Sequence, residues 1–423
     1  MLLYFEITES MNIFKFGGAS VKDADAVKNI VTVLKTVSCS NTFMVLSAMG
    51  KTTNALEEVI ALYFNQSDYS RKILEIKEKH LEIANELFDS GHPIFETIDD
   101  CFNELNIFLE RNKSPNYDFV YDQTVCFGEL LSTKIVNAYL NDNGFESVWI
   151  DVRNYIKTDN TYREGKVDWI KTEENLKKLE SDKFYLTQGF LGSDSNNFTT
   201  TLGREGSDYT AAIIANCLDA ESLTIWKDVP GVLNADPRYF EKTELLKKIS
   251  YEEAIELAYY GASVIHPKTM KPLRLKGIPF FVKSFLNPEA EGTHIGNKLA
   301  LEPNVACYIL KTNQNLLTLT SLDFSFITEE KISRVFKSLH ERKLKVNLMQ
   351  NSAVTLSLCL EDKFNQLSSF IEEIKKDFEI ECEKGVSLYT VRNFDDKTNI
   401  ELGNGRELLR QIIKNTLQLI KSQ

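Results

Sequence analysis

The sequence predicts an α/β sandwich on a largely parallel sheet, followed by a smaller α+β module with a ferredoxin-like order of strands and helices. Three observations predict it. Short apolar runs rich in β-branched and aromatic residues alternate with longer stretches whose apolar positions recur at helical spacing, as in a buried parallel sheet with helical crossovers. A stretch rich in Gly, Asn and Pro interrupts this alternation after Phe285. At 423 residues the chain exceeds one ordinary core, and 43% hydrophobic with 26% charged residues is the balance of a folded rather than a disordered protein.

Strands are expected at residues 12–16, 42–48, 147–151, 184–190, 223–226 and 279–282, several ended by Gly, Asp or Pro. Between them, Ile73, Ile76, Leu81, Ala84, Leu87 and Phe88 have helical spacing, as do Leu130, Ile135, Ala138 and Tyr139. Residues 69–111 read as the longest uninterrupted helical region, a solvated cap to which no chemistry is assigned. Residues 287–298 read as a connection between domains. Beyond them the order is strand (316–319), helix (330–343), strand (354–360), helix (364–377) and strand (386–391).

Charge narrows the partners. With 49 basic against 61 acidic residues the net charge is −12, which repels polyanions and excludes nucleic acid as a partner. An anionic small substrate then needs a local basic pocket. Cys39, Cys101, Cys126, Cys217, Cys307, Cys359 and Cys382 include no C-x-x-C pair, so they read as small buried hydrophobes in a reducing compartment and supply no metal site. The beginning MLLYFEITESMNIF lacks a basic, then apolar, secretion pattern, and no run reaches the length of a membrane span. The expectation is a cytoplasmic protein with no membrane partner.

Three segments carry candidate chemistry. Lys15-Phe16-Gly17-Gly18-Ala19-Ser20 follows a strand and precedes a helix; paired glycines let backbone N–H groups approach an anion, and the lysine adds a cation. It lacks Walker A spacing, and a Gly-Gly turn after a strand is by itself more often plain structure. In the second segment, residues 200–212, small residues lead to Ser207, read as a helix N-cap beside Arg204, whose guanidinium suits a carboxylate. An ordinary capped helix with a surface arginine explains that segment equally. The third, residues 226–238, places Lys227, Asp228, Asp236 and Arg238 just after a strand, where α/β sheets bind ligands, although a solvated loop would also carry such charges.

Taken together and in this order, these segments resemble the aspartokinase family of the amino-acid-kinase fold. The resemblance spans about residues 12–295 and includes Ser47-Ala48-Met49-Gly50-Lys51-Thr52-Thr53-Asn54, Phe127-Gly128-Glu129-Leu130-Leu131-Ser132 and Gly261-Ala262-Ser263-Val264-Ile265-His266-Pro267. It implies a three-layer, carbamate-kinase-like sandwich over residues 11–292. It further implies ACT regulatory units over 304–423: an inserted unit at about 315–382 and a short second unit from about 304–311 plus 383–423.

The implied activity is transfer of the ATP γ-phosphoryl group to the β-carboxylate of L-aspartate, the first step towards lysine, threonine and methionine, with ATP and Mg²⁺. By the same resemblance Lys15 and Asp208 are catalytic. Thr53, Glu129, Arg204 and Ser207 contact aspartate. Lys15, Gly17, Gly18, Lys227, Asp228, Leu233, Arg238, Ser263 and Val264 line the nucleotide site. Met349 and Ser352 mark an effector site for lysine or threonine, and the ACT units imply a homodimer or higher homo-oligomer. The absence of a Ser/His/Asp or Cys/His constellation fits, because a carboxylate acceptor with a reference pKa of about 3.9 needs no general base. His266, beside Pro267, reads as structural.

The chain departs from the family pattern in places. Glu205 stands where a second glycine is frequent and is expected to point away from the pocket. Ser263 replaces a frequent lysine, and Ala353 and Asn347 replace acidic residues of lysine-sensitive relatives. Two other functions compete: a different amino-acid-kinase-fold enzyme acting on glutamate, N-acetylglutamate or a nucleoside monophosphate, and a non-catalytic amino-acid sensor. The substrate-side motifs favour aspartate over the first, and retention of Lys15 and Asp208 argues against the second.

Overall fold

The computed structural model describes residues 11–37, 39, 41–262, 265–323, 325–395, 402 and 405–422. The chain divides into two units. One comprises Met1–Val232, Leu245–Ile255 and Val264–Glu302; the other comprises Leu233–Glu244, Glu256–Ser263 and Pro303–Gln423.

The first unit opens with β1 (Asn12–Phe16), α1 (Ala24–Thr36) and β2 (Thr42–Leu46), then four helices, α2 (Thr52–Phe64), α3 (Ser70–Leu87), α4 (Ile94–Arg111) and α5 (Tyr117–Asp142). It continues through β3 (Val148–Ile150), α6 (Trp169–Leu176), β4 (Tyr185–Gln188), β5 (Leu191–Ser193), β6 (Thr199–Thr201), α7 (Gly206–Cys217) and β7 (Ser222–Lys227). It closes with β8 (Lys248–Ser250), the start of α8 (Tyr251–Tyr260, of which Glu256 onward belongs to the second unit), α9 (Pro267–Lys276), β9 (Phe280–Ser284) and β10 (Thr293–Gly296).

Eight of these strands form one sheet in the order β3-β4-β2-β1-β7-β9-β10-β8, parallel throughout except between β9 and β10. β2 is buried at every position, which is why its sequence, TFMVL, is continuously apolar rather than alternating. Trp226 is fully buried, with Phe16 stacked on it at 5.9 Å and Phe14 edge-on at 5.8 Å. Asp23 caps α1 by accepting from the N–H of Ala26, so the chain turns from β1 into a helix where a side-chain oxygen can satisfy a free donor.

Two expectations fail here. The helical region 69–111 is not uninterrupted: Gly91-His92-Pro93 separates α3 from α4, Pro93 caps α4, and the longest helix in the described chain is α5, with 26 residues. Residues 287–298 are not a connection. Gly292, at φ 70°, turns the chain into β10, which pairs antiparallel with β9 and parallel with β8. Local composition marked the turn but not the short strand behind it.

The second unit holds β11 (Cys307–Ser321), α10 (Glu329–Glu341), β12 (Lys345–Asn351), β13 (Thr355–Glu361), α11 (Leu367–Ile374), β14 (Phe378–Arg392), β15 (Glu407–Ile413) and β16 (Thr416–Lys421). Its first six elements give the β-α-β-β-α-β order of a ferredoxin-like fold. The sheet runs β12-β13-β11-β14-β16-β15 and is antiparallel. Leu317, Leu319, Val335, Leu339, Leu358 and Phe370 lie in a core between this sheet and its two helices. Among the described residues no helix is long and apolar enough to cross a membrane.

Candidate active site

In β1 and β7, which pair in register with Phe16 opposite Trp226, one strand carries Lys15 and the other ends on Lys227. Both lysines meet Asp208, in the first turn of α7. Lys15 Nζ lies 2.6 Å from Asp208 Oδ1 and Lys227 Nζ 3.6 Å from Oδ2. The side chains of Lys15 and Asp208 are only 8% and 4% exposed, so neither could be left charged and alone. Burial by itself pushes the Asp208 carboxyl upward; the Lys15 and then the Lys227 ammonium outweigh it and hold the group below its usual range.

The loop after β1 is fixed to the loop after β2. The N–H of Gly50 donates to the Gly18 carbonyl at 3.2 Å, and a Cβ on Gly18 would come within 3.0 Å of the carbonyl oxygens of Ala48 and Gly50. Glycine is therefore required by close approach rather than by φ. Ser132, on α5, donates to the Ser47 carbonyl at 2.7 Å and ties the same loop to the long helix.

These parts enclose a cavity of about 780 Å³, within the usual range for small-molecule sites. Lys15, Gly18, Lys227 and Asp208 line it, and so do Thr53, Glu129, Arg204 and Ser207. Glu129 projects from the middle of α5 and is 3% exposed; burial pushes its carboxyl up to about 8, partly offset by the backbone N–H groups of Glu129 and Ala48. Its Oε2 has no hydrogen-bond partner among the described residues. The cavity is thus cationic at one side, where two lysines share one carboxylate, and is walled at another by a buried carboxyl with one oxygen unpartnered among the described residues.

The sequence matches the Amino acid kinase family over residues 10–284. It is 32% identical over 389 residues to lysine-sensitive aspartokinase 3 of Escherichia coli, covering 89% of this chain and 85% of that protein. The chain belongs to the aspartokinase family. Its structure is similar to that of E. coli aspartokinase III in complex with lysine and aspartate (TM-score 0.82, 29% identity, 97% of this chain and 96% of that one). It is likewise similar to the complex of that enzyme with aspartate and ADP (TM-score 0.78, 28% identity, the same coverage).

As an aspartokinase, the chain brings most of its motif residues into one cavity, with exceptions. Gly17 adjoins it, since a Cβ there would lie 3.3 Å from Lys15 Nζ. Asp228 is not among the lining residues. Leu233 and Arg238 belong to the second unit, where the guanidinium of Arg238 pairs with Asp236 at 2.5 Å. Ser263 and Val264 lie outside the described residues. Met349 is 42% exposed on β12, and Ser352 follows it, its hydroxyl 2.5 Å from that of Thr355. His266 caps α9, its Nδ1 accepting from the N–H of Lys268 at 3.2 Å, as a structural histidine does.

Two corrections concern α7. Ser207 is not its N-cap: the helix begins at Gly206, and Glu205 precedes it in the left-handed conformation, φ 52° and ψ 31°, without a side-chain cap. Glu205, expected to point away from the pocket, is among the residues that line it, although its Oε2 is buried. A tight turn, closed by the Gly206 N–H donating to the Gly203 carbonyl at 3.0 Å, leads into α7.

Sequence reasoning also missed Asp122. Fully buried on α5, it accepts from the Thr201 N–H at 2.9 Å, the Thr201 hydroxyl at 2.8 Å and the Arg163 N–H at 2.9 Å, pinning β6 and the loop 161–164 to the cavity wall. Burial pushes its carboxyl up to about 6. Arg163 then lies over the Tyr121 ring at 4.4 Å. No short motif announces these contacts, because Asp122 and Thr201 are 79 residues apart.

Proposed function

We infer that this protein is an aspartate kinase: it transfers the γ-phosphoryl group of ATP to the β-carboxylate of L-aspartate, giving 4-phospho-L-aspartate and ADP. One observation carries the reading, the convergence of a buried Lys15–Asp208–Lys227 cluster and the buried Glu129 carboxyl on one cavity. The aspartate β-carboxylate is ionised at neutral pH, so its oxygen attacks the γ-phosphorus directly while the bond to the β,γ-bridging oxygen breaks and the electron pair leaves with ADP. What the protein must supply is neutralisation and alignment of two anions. Lys15, Lys227 and the N–H groups of Gly17 and Gly18 serve the phosphoryl oxygens, and Asp208 holds both ammonium groups in place. Glu129 receives the substrate ammonium and Arg204 its α-carboxylate, with Thr53 and Ser207 as hydroxyl partners.

Leu233, Arg238, Asp228, Ser263 and Val264 stay nucleotide contacts in this reading by the family resemblance alone. Mg²⁺ arrives on the ATP phosphates. Asp208 is already paired with two lysines, and no group of three His, Cys, Asp or Glu side chains among the described residues is arranged to hold a metal. Residues 11–292 form the catalytic domain and 304–423 an ACT regulatory region through which the chain dimerises, in the cytoplasm. Lysine, bound in the E. coli relative, is the candidate effector near Met349 and Ser352. Its grip here is weaker: Asn347 is consumed inside the sheet, accepting from Lys311 at 2.8 Å and donating to Gln314 at 2.7 Å, and Ala353 offers no carboxylate.

The test is an acceptor screen with Mg-ATP in which acyl phosphate is trapped by hydroxylamine. Hydroxamate with aspartate and none with glutamate, N-acetylglutamate or a nucleoside monophosphate is the predicted result. Turnover with another acceptor instead, or with none, refutes the assignment.

A further inference from the structure

Lys15, Arg163, Arg204 and Lys227 are the cations that line the cavity. Lys15 and Lys227 pair with Asp208 and Arg163 with Asp118, whereas Arg204 is exposed and has no ion pair among the described residues. An anionic group entering the cavity therefore finds Arg204 without a competitor. The turn that carries Arg204 is conformationally demanding, with Gly203 left-handed at φ 75° and Glu205 at φ 52°. Its approach is fixed from α5. Asp122 Oδ2 accepts from the N–H groups of Thr201 and Arg163, each at 2.9 Å, and Oδ1 from the Thr201 hydroxyl at 2.8 Å. The two segments so joined also lock onto each other: the Gly165 N–H donates to the Thr201 carbonyl at 2.9 Å, and a Cβ on Gly203 would lie 3.2 Å from the Arg163 carbonyl oxygen. Arg163, at φ 68°, keeps a costly backbone conformation of the kind that persists only where its surroundings impose it.

We propose that Asp122 is a positioning residue for the acceptor: by joining the end of β6 to the loop 161–164 it fixes the turn at residues 202–206, and with it the place from which Arg204 grips the substrate α-carboxylate. This rests on the aspartate-kinase reading and adds to it a residue that does not itself line the cavity. Asp122 is fully buried, and burial pushes its carboxyl up only to about 6, so at neutral pH it is mostly ionised and offers acceptors alone to the three donors it meets. Asp208 lies in the first turn of α7, the helix this turn enters, so the turn also sets the span between the guanidinium and the lysine cluster that an acceptor must bridge. A purely structural wall predicts fewer folded molecules at an unchanged KM. Positioning predicts weaker acceptor binding that depends on Arg204.

The experiment is steady-state kinetics on the full chain with Mg-ATP. No hydroxamate from the wild-type protein with aspartate overturns the function and this proposal together. Given wild-type turnover, D122N, which keeps the size and places an amide against the donors, is expected to raise the aspartate KM about fivefold or more while kcat and the ATP KM stay within about twofold. T201V keeps the shape and removes one of the three bonds; it is expected to raise the aspartate KM about twofold to threefold, and it carries the test if D122N does not fold. The deciding comparison is a double-mutant cycle of either variant with R204A, read as kcat/KM for aspartate so that saturation is not needed. Without Arg204 the effect of D122N or T201V is expected to shrink well below its size in the wild-type background. The same factor in both backgrounds, an unchanged aspartate KM, or an ATP KM that rises as far as the aspartate KM overturns the proposal.

Discussion

The two sides of the cavity handle charge in opposite ways. Where the proposed function seats the phosphoryl group, Asp208 is shared by Lys15 and Lys227, so one carboxylate holds two ammonium groups in place and a net positive charge remains for the ligand. Where it seats the amino acid, the buried Glu129 carboxyl has one oxygen, Oε2, without a hydrogen-bond partner among the described residues. The difference follows from what each ligand brings. A phosphoryl group carries negative charge throughout, so its site must hold cations in place beforehand, and a buried anion is the cheapest way to hold them. An amino acid carries its own cation, so its site can wait for the partner. In the proposed reading, preorganisation is therefore built into one side and completed by substrate at the other.

The hardest blow to this contrast falls on the phosphoryl side. Lys15→Ala and Asp208→Ala are each expected to lower kcat by about a hundredfold or more, a loss of roughly 3 kcal/mol of transition-state stabilisation. Near-normal turnover in either variant removes that residue from the catalytic machinery. On the amino-acid side, Glu129→Gln is expected to raise the aspartate KM by about tenfold or more while leaving the ATP KM near wild type, because each good charge-assisted contact is worth roughly 1.5–3 kcal/mol. An equal change in both constants would show that the two sides are not separable.

pH sharpens the same division. Burial raises the Glu129 carboxyl to about 8, so the free protein holds a proton there at neutral pH and the ammonium complex does not. Aspartate binding is then expected to release a proton below that value and to tighten as pH rises towards it, measured by calorimetry in buffers of different ionisation enthalpy. For folding the sign is the reverse. A carboxyl with a raised folded-state pKa contributes stability that is present below its unfolded value and fades as pH rises to about 8, so Glu129→Gln flattens that part of the profile. Proton release that persists in Glu129→Gln assigns it to another group.

Smaller effects are expected where the walls, not the ligand contacts, change. Asp122→Asn places an amide against the donors of Thr201 and Arg163 and is expected to cost about 1–3 kcal/mol in chemical unfolding. Arg163→Ala removes a ring contact worth about 0.5–1 kcal/mol and is expected to change kcat/KM by only a few-fold.

What the sequence disclosed follows the range of its interactions. β2 was legible because burial on both faces makes it almost continuously apolar, and the places of Lys15 and Asp208 because each sits in a short motif; the three-residue β8, Lys248–Ser250, was not. β10 was not, since Thr293–Gly296 is stabilised by pairing with β9 and β8 and its own sequence reads as a turn. Asp122 was invisible for the same reason, with partners 41 and 79 residues away. Glu205 was misjudged because it leads into α7 in a left-handed conformation, φ 52°, that residue type alone argues against.

The most direct measurement is a crystal structure of the protein with aspartate and a non-hydrolysable ATP analogue. The two-sided account predicts the aspartate ammonium in hydrogen-bond contact with Glu129, the β-carboxylate facing the terminal phosphate, and that phosphate against Lys15 and Lys227. An ammonium turned away from Glu129, or a terminal phosphate seated outside the Lys15–Asp208–Lys227 cluster, would contradict it.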